Sequence, residues 1–313
     1  MNLFATVLTY PAPSANYRGE SELNRTVIQK ITDGRFDYPI ISPEAMRNAL
    51  REILATERYQ KEFKTLVNRE RLHDEEQLAV RFADYPNPDK YADDFLFGYL
   101  VAAKAEERKK ILKAIGNRPG FTFKRDSVLR MNMAKGLDPY RFNTVFTQSP
   151  NDATSKEVKA HKNDNSSNLL HRETAHTAYQ YPFALNGEDC KPKPEWVKAL
   201  LRAIGELAEV AGNHARSDYP FGPASIVVRL TDRLVPGYQT YGFTPDGKFP
   251  EVIEGILHDP KPDYPGDEFF IGGRIVKEMT EADAKKLADR KVTLDRDPQN
   301  LLETVAKKFL GGK

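Results

Sequence analysis

Two arginines on one predicted helix are the first residues whose type and spacing indicate binding chemistry. Ser42 is a favourable N-cap, Pro43 suits the first helical position and Glu44 suits the positive end of the helix dipole, so we expect a helix to begin here. Arg47 and Arg51 are four residues apart and share one face, where like charges repel by about a few tenths of a kcal/mol. A phosphate backbone facing them would more than recover this cost. The pair therefore predicts a phosphate-binding helix, and a solvated helix face is the alternative.

A second basic segment, residues 118–141, contains six basic residues against two acidic ones, among them Arg125, Arg130 and Lys135. Phenylalanine and methionine side chains are interleaved with these charges. Charge and stacking act together in grooves that bind single-stranded nucleic acids, and this interleaving suits such a groove. The same pattern also suits an ordinary amphipathic segment, so both interpretations stay open for this segment alone.

Residues 145–170 form the most polar stretch of the chain and carry Lys156, Lys159 and Lys162 among few apolar side chains. A segment of this composition cannot bury enough apolar surface to fold by itself. It predicts a long loop or an exposed hairpin, and a loop of this length within a compact chain is usually functional or disordered.

The common catalytic and cofactor motifs are absent from the sequence. It contains neither a GxxxxGKS/T or GxGxxG phosphate-binding loop nor a GxSxG nucleophile elbow. The three histidines between residues 161 and 176 do not have the HExxH spacing of a zinc site. The acidic pairs Asp93 with Asp94 and Asp295 with Asp297 are expected to be solvated surface residues, because carboxylates are seldom buried. We therefore expect no catalytic residue, no metal and no cofactor.

The composition limits the class of protein. The chain has 313 residues, 29% of them charged, a net charge of +2 and a mean hydropathy of −0.61, which excludes a wholly basic nucleic-acid binder but not a local basic surface. The single cysteine, Cys190, excludes an intramolecular disulfide and a cysteine-built zinc site. No apolar run approaches the roughly 18 residues of a membrane span, and residues 3–10 resemble a strand more than a signal peptide. The expected location is the cytoplasm.

The elements that would position the basic residues alternate between strands and helices. Residues 59–116 predict a helical subdomain of three or four short helices. Elsewhere, the pattern predicts strands at residues 3–10, 177–185, 225–230 and 269–276. It predicts one helix that begins at residue 43 and three more at residues 194–211, 281–289 and 298–309. This order matches the split βαβ arrangement, with residues 121–124 or 142–146 as the second strand. The expected fold class is α+β.

Several segments resemble a known family when they are taken in order. Residues 16–19 (NYRG), 30–35 and 41–51 (ISPEAMRNALR) resemble the N-terminal signature of the backbone subunit of type I CRISPR surveillance complexes, the "Cas seven" family of Cascade. Segments 94–98 (DFLFG) and 125–130 (RDSVLR), together with the strand at 226–229, resemble its DevR-like branch. The stacking signature of true RRM proteins is absent, so RNP-type base stacking on the sheet is not expected.

The resemblance implies a hand-shaped protein. Residues 1–58 and 118–313 would form an RRM-like, ferredoxin-like palm. A helical insertion at 59–117 would form the fingers, and a β-hairpin at about 144–175 would form the thumb. Several copies would polymerise along one CRISPR RNA.

The resemblance also implies a non-catalytic RNA-binding subunit with defined partners. These are CRISPR RNA, further copies of the chain, other Cascade subunits and target DNA through guide pairing, with no membrane. Arg47 and Arg51 would hold guide phosphates, and Asn16 and Arg18 fall on the N-terminal loop. The complete set of predicted RNA-binding residues is Asn16, Arg18, Lys30, Arg35, Arg47, Arg51, Arg125, Arg130, Lys135, Lys156, Lys159 and Lys162.

Two other functions are compatible with the sequence. The first is an RNA-cleaving backbone subunit of a type III-like complex, for which Asp33, in the loop before Arg35, is the candidate catalytic residue. The second is an α+β protein–protein scaffold that binds no nucleic acid. Cleavage of a complementary target identifies the first, and the absence of co-purifying RNA identifies the second.

Overall fold

The computed structural model of the chain describes residues 1–15, 17–22, 25–73, 78–116, 118–148, 169–210 and 220–311. The strands in chain order are β1 (Asn2–Leu8), β2 (Ala12–Ser14), β3 (Tyr17–Glu22), β4 (Arg25–Ile28), β5 (Lys30–Asp33), β6 (Phe36–Ile41), β7 (Arg69–His73), β8 (Leu78–Phe82), β9 (Tyr99–Leu100), β10 (Lys124–Arg125), β11 (Arg130–Met131), β12 (Ala134–Gly136), β13 (Thr144–Gln148), β14 (Leu169–Glu173), β15 (Ala175–Thr177), β16 (Tyr179–Asn186), β17 (Ser225–Thr231), β18 (Phe269–Gly273) and β19 (Thr293–Asp295). The helices are α1 (Pro43–Leu54), α2 (Glu57–Phe63), α3 (Ala92–Phe97), α4 (Ala105–Ala114), α5 (Gly187–Cys190), α6 (Pro194–Gly205), α7 (Pro250–Leu257), α8 (Arg274–Lys277), α9 (Glu281–Asp289) and α10 (Pro298–Leu310).

Strand β1 lies near the middle of the main sheet, whose order is β19-β18-β17-β1-β16-β12-β6-β5, with β11 also paired to β16. β1 is antiparallel to both β16 and β17, and β16 is antiparallel to β11 and β12. Helix α1 lies between β1 and β11 in the chain, and α6 lies between β16 and β17. These strand directions and connections are those of the split βαβ arrangement. The chain is therefore a mixed α/β fold.

The second strand differs from both candidates that the sequence offers. Its place beside β16 is taken by the short strands β11 and β12, whereas Lys124 and Arg125 pair with β9 and residues 144–148 pair with β14. Strands of two and three residues carry no detectable alternation of polar and apolar side chains, which is why the pattern does not indicate them.

The main core lies on the face of the sheet covered by α1, α2, α3, α6 and α10. Alternate residues of β1 and β17 point into it because successive side chains of a strand face opposite sides. Leu3 and Val7 of β1, and Ile226 and Val228 of β17, are fully buried there. Val197, Leu200 and Ile204 of α6 belong to the same core, as the apolar periodicity of that segment predicts. The helix ends at Gly205, earlier than the predicted 211, and residues 212–213, whose Gly-Asn sequence predicts the stop, lie outside the described residues.

A second core fills the opposite face of β17 and β18 and is covered by α7, α8 and α9. Val227, Phe269 and Ile271 from the sheet meet Val252 and Ile256 from α7. Helix α9 spans the residues that the sequence predicts, α10 extends one residue beyond its predicted end, and α7 is an element that the pattern does not indicate.

The segment predicted as a helical subdomain contains three helices and a β-hairpin rather than helices alone. Helices α2 and α3 contribute Tyr59, Phe63, Phe95 and Leu96 to the main core, whereas β7 and β8 form the unpredicted hairpin. The segment is thus partly integrated into the body of the protein. In the part of the chain that the structure describes, no helix has both the length and the apolar character needed to cross a membrane.

Candidate nucleic-acid interface

An open cleft of about 600 Å³ brings together two of the predicted binding residues, Arg47 and Arg130. Arg47 reaches it from α1 and Arg130 from β11, where the ladder pairs Arg130 with Ala184 of β16. The wall also contains Asp126 and Asn132, together with apolar side chains of β1 and β16. Two guanidinium groups on one open cleft can each hold a phosphate oxygen through charge-assisted hydrogen bonds.

The guanidinium group of Arg47 is half-buried and only partly neutralised. Its side chain is 20% exposed, and its terminal nitrogen lies 3.5 Å from Oε1 of Glu44, whose side chain is 77% exposed. Its Nε is buried and donates no hydrogen bond within the described part of the chain. Burial lowers the pKa of Arg47, and the nearby Arg69 lowers it further. A desolvated cation with an unused donor gains more from an anion than a fully solvated cation does.

Arg51 has a structural position that its spacing from Arg47 does not indicate. It is only 7% exposed, and its Nε lies 3.7 Å from Oδ2 of Asp93. Its guanidinium group donates to Oδ1 of Asn48 at 3.2 Å and lies 4.9 Å from the ring centre of Phe97. Burial, with a further contribution from the neighbouring Arg69, lowers the pKa of Arg51 to about 10. Arg47 therefore lines the cleft, whereas Arg51 is buried in the protein beside Asp93 and Phe97.

Asp93 and Asp94 are buried, so the prediction that they are solvated surface residues is wrong. The carboxylate of Asp93 accepts from the backbone N–H groups of Asn68 at 2.8 Å and Arg69 at 3.1 Å. Asp94 accepts from the side chain of Asn68 and from the backbone of Asn87, both at 2.8 Å, and its burial raises its pKa. These N–H donors from two loops make burial of both carboxylates tolerable.

Arg125 is not among the residues that line the cleft, but Asp126 and Ser127, which follow it in the chain, are. The guanidinium carbon of Arg125 lies 5.3 Å from the ring centre of Phe95, and its Nε is buried without a hydrogen-bond acceptor among the described residues. Gly98 has a φ of +63°, and a Cβ there would lie 2.4 Å from the backbone oxygen of Arg125. Glycine is required for this close approach, which places residues 125–127 against α3. Arg69, which the sequence analysis does not select, donates to the oxygen of Gly98 at 2.7 Å.

Three further residues of the predicted RNA-binding set, Lys30, Arg35 and Lys135, lie on or beside the β5–β6 hairpin. Lys30 is half-buried and lies 3.3 Å from the carboxylate of Glu173, and Lys135 forms an ion pair with Asp33. Arg35 is exposed in the turn of the hairpin. Lys30 and Lys135 are thus partly neutralised, whereas Arg35 presents its charge to solvent.

Exposed aromatic side chains near this hairpin are a feature that sequence analysis missed. Phe36 is 57% exposed, Phe142 63% and Phe146 62%. Phe36 and Phe142 line a cleft of about 680 Å³ together with Arg141 and His176. The neighbouring Arg35 and Arg141 are the sequence signal that could have indicated an aromatic and basic surface here.

The structure does not describe the side chains of the other five residues of the predicted RNA-binding set. Asn16, Lys156, Lys159 and Lys162 lie outside the described residues, as does most of the predicted thumb. Arg18 is described only as part of the backbone of β3. The two ends of the predicted thumb, β13 and β14, form an antiparallel pair.

Comparison with known proteins agrees with the resemblance found in the sequence. No protein-family model matches the chain. It is 29% identical over 281 residues to the CRISPR-associated protein Cas7/Cst2/DevR of Myxococcus xanthus (strain DK1622), and the match covers 88% of each chain. A chain of a CRISPR RNA-guided surveillance complex matches with a TM-score of 0.56 at 15% identity, covering 98% of both chains. A chain of such a complex in a pre-nicking state matches with a TM-score of 0.53 at 12% identity, covering 98% of this chain and 99% of the other. The predicted resemblance is confirmed.

Proposed function

Because this chain resembles the Cas7/Cst2/DevR proteins of CRISPR systems, we propose that it is a CRISPR RNA-binding backbone subunit of a type I surveillance complex. Its partners are the guide RNA, further copies of itself and other Cascade subunits. Target DNA is engaged through pairing with the guide, so that base pairing rather than the protein reads the sequence.

The observation that carries this proposal is the extent of the similarity. The fold matches chains of RNA-guided complexes over 98% of its length, and the sequence match covers 88% of a curated relative. A shared substructure alone would give a match over part of the chain, whereas these matches cover almost all of it. This extent favours a subunit with the same place in an assembly over a protein that shares only a common sheet.

The cleft supplies the chemistry that such a subunit requires. Arg47 and Arg130 both line the cleft and offer positive charge to a phosphate backbone. Binding of this kind is independent of sequence and depends strongly on salt. It suits a protein that must hold guides of any sequence.

We assign the palm, the fingers and the thumb of the hand-shaped fold on the basis of the same similarity. The split βαβ portion of the main sheet, with its helices, is the RRM-like palm within residues 1–58 and 118–313. The fingers are 59–117, although α2 and α3 share the main core with the palm. The thumb is about 144–175, with the antiparallel pair of β13 and β14 at its base.

Co-purification tests this function. Expressed with a CRISPR array, the chain is expected to retain repeat-derived RNA through purification at low salt, giving an absorbance ratio at 260 over 280 nm well above that of protein alone. The RNA is expected to leave at high salt, because phosphate contacts dominate the binding. A nucleic-acid-free preparation would instead favour the protein scaffold.

The absence of catalysis is a second expected result. Asp33, the candidate catalytic residue of an RNase, is 64% exposed and its carboxylate forms an ion pair with Lys135. Among the described residues, no group of three or more potential metal ligands is present, so Asp33 has no neighbouring carboxylates with which to hold Mg²⁺. We expect no cleavage of complementary RNA or DNA when guide-loaded protein is incubated with Mg²⁺. Products that form with the unchanged chain and disappear with Asp33→Ala would establish the RNase function.

A further inference from the structure

The loop that follows β17 exposes two adjacent aliphatic side chains, Leu234 and Val235. Leu234 is 83% exposed, more than any other large apolar side chain among the described residues, and Val235 is 61% exposed. Single apolar residues are normal on a protein surface, whereas adjacent ones in one loop form a small apolar patch that a partner can cover. We call these two residues the apolar pair.

Hydrogen bonds from the body of the protein hold this loop on both sides of the apolar pair. Before the pair, the side chain of Asn2 donates to the backbone oxygen of Arg233 at 2.8 Å. After it, Nη1 of the fully buried Arg229 donates to the backbone oxygen of Pro236 at 2.6 Å, and its Nε donates to Glu268 at 2.6 Å. The loop is therefore positioned before any partner binds, which lowers the entropy cost of binding.

The same loop contributes to the cleft that contains Arg47 and Arg130. Pro236, which directly follows the apolar pair, is one of the residues that line this cleft. Consecutive Cα atoms are about 3.8 Å apart, so the Cα atoms of both residues of the pair lie within about 8 Å of that of Pro236. The apolar pair thus lies at the edge of the cleft whose walls carry the two guanidinium groups.

The cations of the cleft remain available to an anion. Arg47 lies 3.5 Å from Glu44, and Arg130 lies 3.7 Å from Asp189. Both carboxylates are exposed, and ion pairs of this kind contribute little, so a phosphate competes with them at small cost. Arg233, which directly precedes the apolar pair, is exposed as well. The charges around the pair therefore favour a nucleic acid over a protein as its partner.

We propose that Leu234 and Val235 pack against the face of an unpaired base of the RNA strand whose phosphates Arg47 and Arg130 hold. A nucleotide carries an anionic phosphate and the apolar face of a base within one residue, and it therefore matches cations that lie next to apolar side chains. Leucine is among the residues that nucleic-acid-binding proteins insert between bases. Every base has such a face, so the contact is independent of sequence. The proposal rests on the proposed function and adds a contact to bases.

A salt titration distinguishes this contact from phosphate contacts. Leu234→Ser with Val235→Ser is expected to weaken binding of a single-stranded guide RNA about ten-fold, because less apolar surface leaves water on binding. The slope of log affinity against log salt is expected to stay unchanged, because no phosphate contact is lost. A fall in the slope without a base-dependent loss would contradict the proposal.

The matched control is Leu66→Ser with Leu100→Ser. These leucines are 46% and 66% exposed and do not line the cleft. The control is expected to bind the guide within about two-fold of the unchanged chain. An equal loss of affinity in the control would mean that exposed apolar surface in general, and not the apolar pair, governs the effect.

An abasic RNA tests whether the partner of the apolar pair is a base. The unchanged chain and the Leu234→Ser, Val235→Ser variant are compared on the guide and on an RNA of equal length and charge that lacks its bases. On the abasic RNA the two proteins are expected to bind within about two-fold of each other, because the group that the pair contacts is missing. A difference of about ten-fold that persists on the abasic RNA would overturn the proposal.

The outcomes separate this contact from the proposed function. If the unchanged chain binds no RNA, the proposed function is rejected and the contact with it. If the unchanged chain binds the guide and the serine variant binds it equally tightly, the contact alone is rejected. Weaker self-association of that variant in light scattering would then assign the apolar pair to a protein interface.

Discussion

Alanine at Arg51 is expected to lower the free energy of unfolding by about 3–5 kcal/mol, the usual effect of removing one partner of a buried ion pair. The substitution leaves Asp93 buried without the guanidinium group that lies 3.7 Å from its carboxylate, and it removes the group that covers the ring of Phe97. Asp93 keeps its two backbone donors, which places the effect nearer the lower value.

Urea denaturation measures this effect, and Arg47→Ala is the matched control. Among the described residues, Arg47 is paired with Glu44, whose side chain is exposed, so the removal of Arg47 is expected to change the unfolding free energy by less than about 1 kcal/mol. Equal destabilisation by both substitutions would contradict the separate roles that the structure gives to these residues. Because the Arg51→Ala variant is expected to be less stable, its RNA affinity must be measured under conditions in which it is fully folded.

Replacing Arg47 and Arg130 together by alanine is expected to weaken guide RNA binding by at least about a hundred-fold. Each guanidinium group is expected to contribute a charge-assisted contact of about 1.5–3 kcal/mol to a phosphate. The slope of log affinity against log salt is expected to fall by about 1.4, because each lost phosphate contact on a single strand removes about 0.7.

Fluorescence anisotropy with labelled guide over a range of salt concentrations gives both quantities. The control is Lys285→Ala with Lys307→Ala, which removes the same charge from exposed positions of α9 and α10. If the control lowers the slope as much as the cleft variant does, net charge rather than the cleft governs binding.

Local signals in the sequence predict α1 well. Ser42 accepts from the backbone N–H of Ala45, Pro43 occupies the first turn, and Met46 and Leu50 are buried as the periodicity requires. The same signals could not distinguish Arg47 from Arg51. Only the packing of α3, which brings Asp93 to the helix from a distant part of the chain, determines which of the two arginines is buried.

Features that depend on tertiary contacts escaped prediction for the same reason. Two adjacent acidic residues are expected to be exposed when no hydrogen-bond partner is known. Asp93 and Asp94 are nevertheless buried, because backbone N–H groups of distant loops donate hydrogen bonds to their carboxylates. The short strands β11 and β12 exist because β16 offers them a ladder, not because their own residues favour it.

The stoichiometry of guide-loaded protein tests the central claim most directly. Native mass spectrometry is performed on the chain assembled with two guide RNAs, one twice the length of the other. A backbone subunit that polymerises along its guide is expected to bind about twice as many copies to the longer guide. The same number of copies on both guides, or no bound copy on either, would contradict the account.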